Sequence, residues 1–223
     1  MANDSKLGLL AGLAAVLVIA VVYFQKPPDA GSAAVPPMPT AVSVAPAVIV
    51  NIPARQEAAM PYTPILGTLA YVFSPDGGAV LLIHRNARPN DAHLGKYNGL
   101  GGKLEAGEDV VAGVRREVRE EAGVECDALH LAGTVSWPGF GAAGEDWFGF
   151  LFRVTAFTGT AFAANPEGTL HWVPLADVAG LPMWEGDRHF LPAVLDRDAP
   201  PFHGVMPYAA GRPVSWSVTT LPR

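Results

Sequence analysis

The stretch GKLEAGEDVVAGVRREVREEAGV, residues 102–124, decides the fold of this 223-residue chain. It begins as a glycine-rich loop and continues with the pattern of an amphipathic helix over residues 110–122. Asp109 is a good N-cap for that helix, and Gly123 suits the position that ends it. Valines and alanines recur on one side, so the sequence predicts a helix packed on a hydrophobic core.

Three glutamates of this helix carry its chemical signal. Glu117, Glu120 and Glu121 are spaced i, i+3 and i+4, so they fall within one sector of about 100°. Carboxylates crowded on one helix face repel one another unless cations neutralise them. Carboxylate oxygens together with substrate phosphates are the ligands that Mg²⁺ or Mn²⁺ prefers. The spacing therefore favours a divalent metal site.

A solvated helix face is the alternative interpretation, because Arg115, Arg116 and Arg119 of the same helix would neutralise the glutamates. The Gly-Gly-Lys loop just before the helix favours the metal site instead. Open carbonyls of that loop would add a ligand oxygen, and the Lys103 ammonium would neutralise a phosphate.

Residues 102–124 resemble the Nudix box, in which Gly, Glu, Arg-Glu, Glu-Glu and Gly recur at fixed spacing with aliphatic residues between them. Every specified position of the box is filled. The resemblance implies an α/β/α sandwich with a mixed sheet, in which the box forms a loop–helix–loop that holds Mg²⁺. By the same resemblance, Glu117, Glu120 and Glu121 would be metal ligands, Gly101 would give a backbone carbonyl, and Arg116 would orient the glutamates.

Four further stretches resemble the MutT-type branch of that family, whose members hydrolyse 8-oxo-dGTP. They are YNGLGGK at 97–103, EGTLHWV at 167–173, MWEGDRHF at 183–190 and PFHG at 201–204. The resemblance implies that Glu167 supplies a further carboxylate to the metal site. It also implies that Asn98 reads a purine edge, that Trp184 stacks on the base and that Asp187 meets the base edge.

Simpler roles remain open for two of these residues. Trp184 could be an ordinary half-buried core aromatic, and Asp187 could be the N-cap of a helix over 188–194. The chain also departs from the animal members of the branch, which carry a second Asp where this sequence has Gly186. That departure bears on the preference for the oxidised base over guanine, and not on the hydrolytic chemistry.

Strand-forming runs surround the box. Hydrophobic patterning and turn residues predict strands at 64–73, 79–83, 130–136, 147–157 and 169–173, and helices at 175–178 and 187–194. Strands mixed with a few helices favour an α/β sandwich.

Composition limits the classes of function. The formal net charge is −6, which argues against binding nucleic acid duplexes. A single cysteine, Cys126, excludes an internal disulfide and a multi-cysteine zinc site. The resemblance implies that the partner is the nucleotide substrate, and we expect a monomer or a small homo-oligomer.

The N-terminal region has a different character from the rest. Residues 7–24 are uncharged and apolar over a length that would span a bilayer, and residues 25–60 form a linker rich in Pro and Ala. We expect a membrane anchor in residues 1–24 and the hydrolase domain in residues 61–223, facing the cytoplasm. The alternatives are a cleaved signal peptide, or a true start at Met60 that would leave a cytoplasmic protein.

These observations predict Mg²⁺-dependent hydrolysis of an oxidised purine nucleoside triphosphate, such as 8-oxo-dGTP, to the monophosphate and pyrophosphate. One alternative is the same chemistry on another nucleoside diphosphate derivative, such as a dinucleotide or a nucleotide sugar. Another is a membrane-tethered module that binds nucleotide without hydrolysing it.

Overall fold

The computed structural model describes residues 61–221. Within them, helix α1 spans Val110–Ala122 and helix α2 spans Asp187–Leu195. The strands are β1 (Ile65–Phe73), β2 (Ala79–His84), β3 (Tyr97–Asn98), β4 (Glu125–Trp137), β5 (Trp147–Thr158), β6 (Ala164–Asn165), β7 (Gly168–Pro174), β8 (Phe202–Val205), β9 (Tyr208–Ala209), β10 (Arg212–Pro213) and β11 (Ser217–Thr220).

A nine-stranded mixed sheet organises the domain. Its strand order is β11-β8-β4-β5-β1-β2-β7-β6, and β3 pairs with β2 at one side of this path. The pairs β1–β5 and β4–β8 are parallel, and the other pairs of this sheet are antiparallel. Strands β9 and β10 form a separate two-stranded sheet. The predicted α/β fold with a mixed sheet is therefore confirmed.

The two helices pack on opposite faces of the sheet. Side chains alternate along β1, so Tyr71 and Phe73 join the core that contains Phe190 of α2. Ala70 and Val72 join the other core, which contains Val114, Val118 and Ala122 of α1. Because its side chains are buried on both faces, β1 lies in the middle of the domain, between the two cores. Helix α1 packs on one of these cores, on the domain's central strand, which also contacts the glycine loop through Leu100 and Lys103.

Helix α1 begins and ends where the sequence predicts. Asp109 Oδ1 accepts hydrogen bonds from the backbone N–H groups of Val111 at 2.9 Å and Ala112 at 3.0 Å. Gly123 follows the last turn with φ of 73°, and its N–H donates to the carbonyl of Arg119. Both signals are local, which is why the sequence alone predicts them.

Other elements differ from their predicted bounds. The predicted helix at 175–178 is wrong, because these residues make a turn in which Asp177 N–H bonds to Pro174, and a short 3₁₀ helix follows at Val178–Gly180. Strand β4 is longer than the predicted 130–136 and has irregular register with β5 at three places. Strands β8 to β11 were not predicted.

The predicted membrane anchor at residues 7–24 and the linker at 25–60 lie outside the described residues. Among residues 61–221, no helix is long and apolar enough to cross a membrane.

Candidate active site

The glycine loop passes close to β1 and to α1. Gly101 has φ of 148°, and a Cβ there would overlap the carbonyl oxygen of Thr68. The Gly102 carbonyl accepts a hydrogen bond from Thr68 N–H at 2.8 Å. A Cβ on Gly102 would lie 2.5 Å from Glu117 Oε1. The absence of side chains at both positions therefore brings the loop backbone against a box glutamate.

The box glutamates differ in their exposure to solvent. The Glu117 side chain is 14% exposed, and burial raises the pKa of this carboxyl above its usual value. Glu120 is 59% exposed. Glu121 is more enclosed, and burial raises its pKa to about 8, with the charges of Glu167 and Glu117 adding to the effect. The Gly101 N–H donates to Glu121 Oε2 at 2.8 Å and partly offsets this increase.

Arg116 connects the loop to the glutamates. Its guanidinium makes a two-point contact with Glu108, through Nε to Oε1 at 2.9 Å and Nη2 to Oε2 at 3.0 Å. The hydrogen bonds from Arg116 lower the pKa of Glu108 to about 2. The same guanidinium donates through Nη1 to Glu117 at 2.9 Å and to Glu120 at 3.3 Å. Its position agrees with the orienting role that the resemblance implies.

Glu167 lies near the end of α1, in the turn before β7. Arg85 and Arg88 both form ion pairs with its carboxylate. Asn165 Oδ1 accepts from the Glu167 N–H at 2.8 Å, and Asn165 Nδ2 donates to the Glu121 carbonyl at 3.0 Å. Asn165 therefore ties the turn that carries Glu167 to the helix that carries the box glutamates.

The donor set suits a divalent metal ion, although these side chains do not form a closed ligand sphere. Within residues 61–221, no three acidic, histidine or cysteine side chains converge closely enough to hold a metal ion. The arginine contacts of Glu117, Glu120 and Glu167 explain this arrangement, since each carboxylate already faces a cation. The chemistry still fits, because carboxylate oxygens are the ligands that Mg²⁺ prefers, and a bound cation would offset the burial and the neighbouring carboxylates that raise the pKa of Glu121. The ligand assignments, including that of the Gly101 carbonyl, stay predictions.

Lys103 follows the two glycines, Gly101 and Gly102, of the loop before α1. Its ammonium sits 5.2 Å from the centre of the Trp147 ring, and its side chain is exposed. A phosphate role for Lys103 stays a prediction. Arg119, one of the arginines expected to neutralise the box glutamates, instead pairs with Glu125 at the start of β4.

Asn98 and Trp184 come together through a third residue, His93. Trp184 Nε1 donates to His93 Nδ1 at 2.8 Å, and Asn98 Nδ2 lies 3.3 Å from the same ring nitrogen. The Lys96 ammonium lies 4.5 Å from the centre of the Trp184 ring. Asn98 Oδ1 is buried and has no hydrogen-bond partner within residues 61–221. The fold therefore brings two of the predicted base-binding residues together in one cluster of side chains, formed by Asn98, His93 and Trp184.

Asp187 lies three residues after Trp184 in the sequence, at the start of α2. The alternative role as an N-cap is wrong, because Asp187 is the first helical residue and Gly186 takes the cap position without a side-chain bond. Burial raises the pKa of Asp187 to about 7. A side chain at Gly186 would overlap the Tyr208 hydroxyl, so a tyrosine fills the space beside Asp187.

Sequence reasoning missed His93 and Tyr208. His93 belongs to none of the motifs quoted from the sequence, and its hydrogen-bond partner Trp184 lies 91 residues further along the chain. Tyr208 belongs to the C-terminal strands, which the periodicity did not predict. Neither residue belongs to a motif, so only the tertiary structure reveals it.

Comparisons with known proteins agree with this geometry. The NUDIX domain family model matches residues 63–194. A Danio rerio protein named oxidized purine nucleoside triphosphate hydrolase is 31% identical over 136 residues, which cover 61% of this chain and 83% of that protein. An uncharacterized Nudix hydrolase of Bacillus subtilis (strain 168) is 37% identical over 94 residues, covering 41% of this chain and 59% of that protein. The crystal structure of the mutator MutT protein of Bacillus halodurans matches at TM-score 0.61 and 29% identity, covering 71% of this chain and 99% of that one.

The chain belongs to the Nudix hydrolase family, and its relatives include MutT-type proteins. Nudix hydrolases generally use divalent metal ions.

Proposed function

We propose that this protein hydrolyses an oxidised purine nucleoside triphosphate, such as 8-oxo-dGTP, to the monophosphate and pyrophosphate. The observation that carries the proposal is that a predicted base-binding residue and a residue hydrogen-bonded to the box lie on one short segment of the chain. Asn98, in the base pocket, stands three residues before Gly101, whose N–H bonds to Glu121 of the box. Three residues span at most about 10 Å. That length is comparable to the distance between the base and the phosphates of one nucleotide.

The names of the relatives support the substrate class, since the Danio rerio protein is named for oxidized purine nucleoside triphosphates. The pocket supports a base as well. An aromatic ring such as Trp184 stacks on a base for about 1–3 kcal/mol, and an asparagine amide offers both a donor and an acceptor.

The glutamates of the site have two proposed roles, metal binding and acceptance of a proton. Glu117, Glu120 and Glu121, with Glu167, would hold Mg²⁺, which when bound neutralises phosphate charge and lowers the pKa of a coordinated water. Water attacks a phosphorus of the triphosphate chain, the anhydride bond between the α- and β-phosphates breaks, and the monophosphate and pyrophosphate are released. One of these glutamates accepts the proton of the attacking water.

Positioning and charge come from the neighbouring side chains. Arg116 would hold Glu117 and Glu120 in place, and its hydrogen bonds to both carboxylates support this role. Lys103 lies on the loop beside them and offers its ammonium to the departing phosphates.

The test is a kinetic comparison with the full-length protein and Mg²⁺. We expect kcat/KM for 8-oxo-dGTP to exceed that for dGTP by tenfold or more, about 1.4 kcal/mol of differential transition-state binding. ADP-ribose, a dinucleotide and a nucleotide sugar complete the panel. Equal rates on 8-oxo-dGTP and dGTP, or activity only on the other derivatives, would overturn the substrate assignment. The absence of hydrolysis on every substrate would favour a nucleotide-binding module.

A further inference from the structure

His93 stands between the two residues of the base pocket and contacts both. The Trp184 and His93 rings lie 5.5 Å apart and nearly perpendicular, at 86°. An indole N–H can only donate a hydrogen bond. The ring nitrogen that it meets, His93 Nδ1, must therefore be the acceptor, and the imidazole must be neutral with its proton on Nε2.

The same nitrogen fixes the orientation of the Asn98 amide. With a lone pair on Nδ1, the amide NH₂ of Asn98 turns toward His93, because the amide oxygen would face that lone pair and be repelled. The Oδ1 atom then faces away from His93, and it is the buried atom that lacks a partner within residues 61–221. A buried carbonyl oxygen without a hydrogen-bond donor is destabilising. A ligand with an N–H or amino donor would remove that destabilisation.

Interactions on the other side hold His93 itself in place. Its backbone N–H donates to Asp91 Oδ1 at 2.9 Å. Arg85 Nε donates to Asp91 Oδ2 at 2.7 Å, and Arg85 also pairs with Glu167. The loop that carries His93 is thus anchored to the turn that carries Glu167.

We propose that neutral His93 is a positioning residue of the base pocket, which holds the Trp184 ring and turns the Asn98 carbonyl toward a base edge that donates a hydrogen bond. The proposal rests on the proposed function, because it concerns how the same pocket recognises its substrate. His93 itself does not touch the reacting phosphates.

Protonation of His93 opposes this arrangement, because Nδ1 would then carry an N–H directed at the Trp184 N–H. Burial has the largest effect on the pKa of His93 and lowers it below 6.5. The charges of Arg85 and Lys96 lower it further, while Asp91 and Glu167 raise it. The pocket is therefore assembled at neutral pH, and it loses the Trp184 bond as the pH falls below about 6.5 toward the lower pKa of the folded state.

Two variants separate the hydrogen bond from packing. His93→Phe keeps a flat ring against Trp184 but removes the acceptor, and His93→Asn places an amide oxygen where Nδ1 was. We expect His93→Phe to raise KM for 8-oxo-dGTP about tenfold while kcat changes by less than about threefold, and His93→Asn to recover most of the loss. For the wild type, KM should rise between pH 7.5 and pH 5.5, and His93→Asn should flatten that rise.

An NMR measurement tests the bond without relying on catalysis. The indole N–H signal of Trp184 is assigned by its absence in Trp184→Phe. In the wild type we expect this signal to shift as the pH is lowered through the His93 transition, and in His93→Phe we expect a displaced signal without that titration.

The outcomes distinguish the two proposals. Hydrolysis of 8-oxo-dGTP with an unchanged KM in His93→Phe would overturn the role of His93 and leave the proposed function intact. Lack of hydrolysis on every nucleotide, with a titrating Trp184 signal, would overturn the proposed function and retain the bond. A Trp184 signal that is the same in the wild type and in His93→Phe would overturn the positioning role outright.

Discussion

At the scale of single residues, Arg116 shows how the box sequence becomes a geometry. Its guanidinium reaches Glu108, Glu117 and Glu120 from one position on α1. A planar guanidinium makes such divided contacts, whereas a lysine ammonium cannot reproduce the two-point contact with Glu108. The spacing of the box is therefore the spacing that one arginine needs in order to hold three carboxylates.

Glu120 is the box glutamate best suited to a test of the chemistry. Its side chain is 59% exposed, so Glu120→Gln removes charge without disturbing the core. We expect kcat to fall by about 10²-fold or more, because the variant would lose a proposed metal ligand or general base. Glu105→Gln, at an exposed glutamate of the loop before α1, is the matched control. Near-normal turnover in folded Glu120→Gln protein would remove Glu120 from the mechanism.

Asp187 gives the protein a pH-dependent stability. Its folded pKa is raised by burial from 3.8 to about 7, so the folded state favours the protonated carboxyl. The contribution is complete below pH 3.8 and is lost as the pH rises through about 7. We expect the free energy of unfolding to fall between pH 5 and pH 8.5 by about 1–3 kcal/mol more in the wild type than in Asp187→Asn. Urea unfolding at both pH values measures this difference. An equal change in the free energy of unfolding with pH in the wild type and in Asp187→Asn would contradict the prediction.

The sequence predicts the helix that carries the box residues, and it predicts only part of the side-chain cluster around His93. Glu117, Glu120 and Glu121 belong to one helix, so their common face follows from helical spacing. His93 and Trp184 are in contact but lie 91 residues apart in the sequence, and no local pattern predicts such a contact. The burial that raises the pKa of Asp187 likewise depends on distant elements and could not be predicted from its neighbours in the chain.

At the scale of elements, the glycine loop before α1 depends on close backbone approach. Gly101→Ala would force a Cβ into the Thr68 carbonyl and would keep a φ that alanine rarely adopts. We expect a loss of more than about 2 kcal/mol in the free energy of unfolding, and a large loss of activity.

Gly107→Ala is the matched control for this variant. Gly107 also has positive φ, of 83°, but its Cβ position is open, so only the backbone cost of about 1 kcal/mol applies. Thermal unfolding of both variants measures the difference. Equal destabilisation would show that the contact with Thr68 does not matter.

Elements with local boundary signals were predicted more accurately than those without them. Asp109 and Gly123 mark the ends of α1 through contacts within a few residues. The turn after β7 contacts the turn between β1 and β2, where the Leu175 N–H donates to the Gly78 carbonyl. These residues are far apart in the sequence, so no local pattern predicts this hydrogen bond. The predicted helix at 175–178 failed for that reason.

At the scale of the whole molecule, the domain extends beyond the residues that the family model matches. Strand β8 adds to the sheet beside β4, and Phe202 and Met206 are fully or almost fully buried in the core that contains α2. The C-terminal segment also places the Tyr208 hydroxyl beside Gly186. It therefore completes the hydrophobic core and contributes a side chain close to Asp187.

Truncation tests this contribution. We expect a chain that ends at Asp198 to lose cooperative thermal unfolding, since removal of large buried side chains costs about 2–5 kcal/mol each. A chain that ends at Trp216 loses only β11 and the residues after it. Because the residues of β11 are all exposed, this second chain should unfold cooperatively with a modest decrease in Tm. Cooperative unfolding of the shorter chain would contradict the prediction.

The parallel pairing of β1 with β5 has a consequence during synthesis. Ile65 pairs with Trp147, and β2, β3, α1 and β4 are all made between these two strands. Translation proceeds at about 5–20 residues per second, so the backbone N–H and C=O groups on one edge of β1 lack their β5 partners for several seconds. An uncovered strand edge is a template for pairing with other chains. The yield of this protein in a cell therefore depends on how well that edge is protected until β5 emerges.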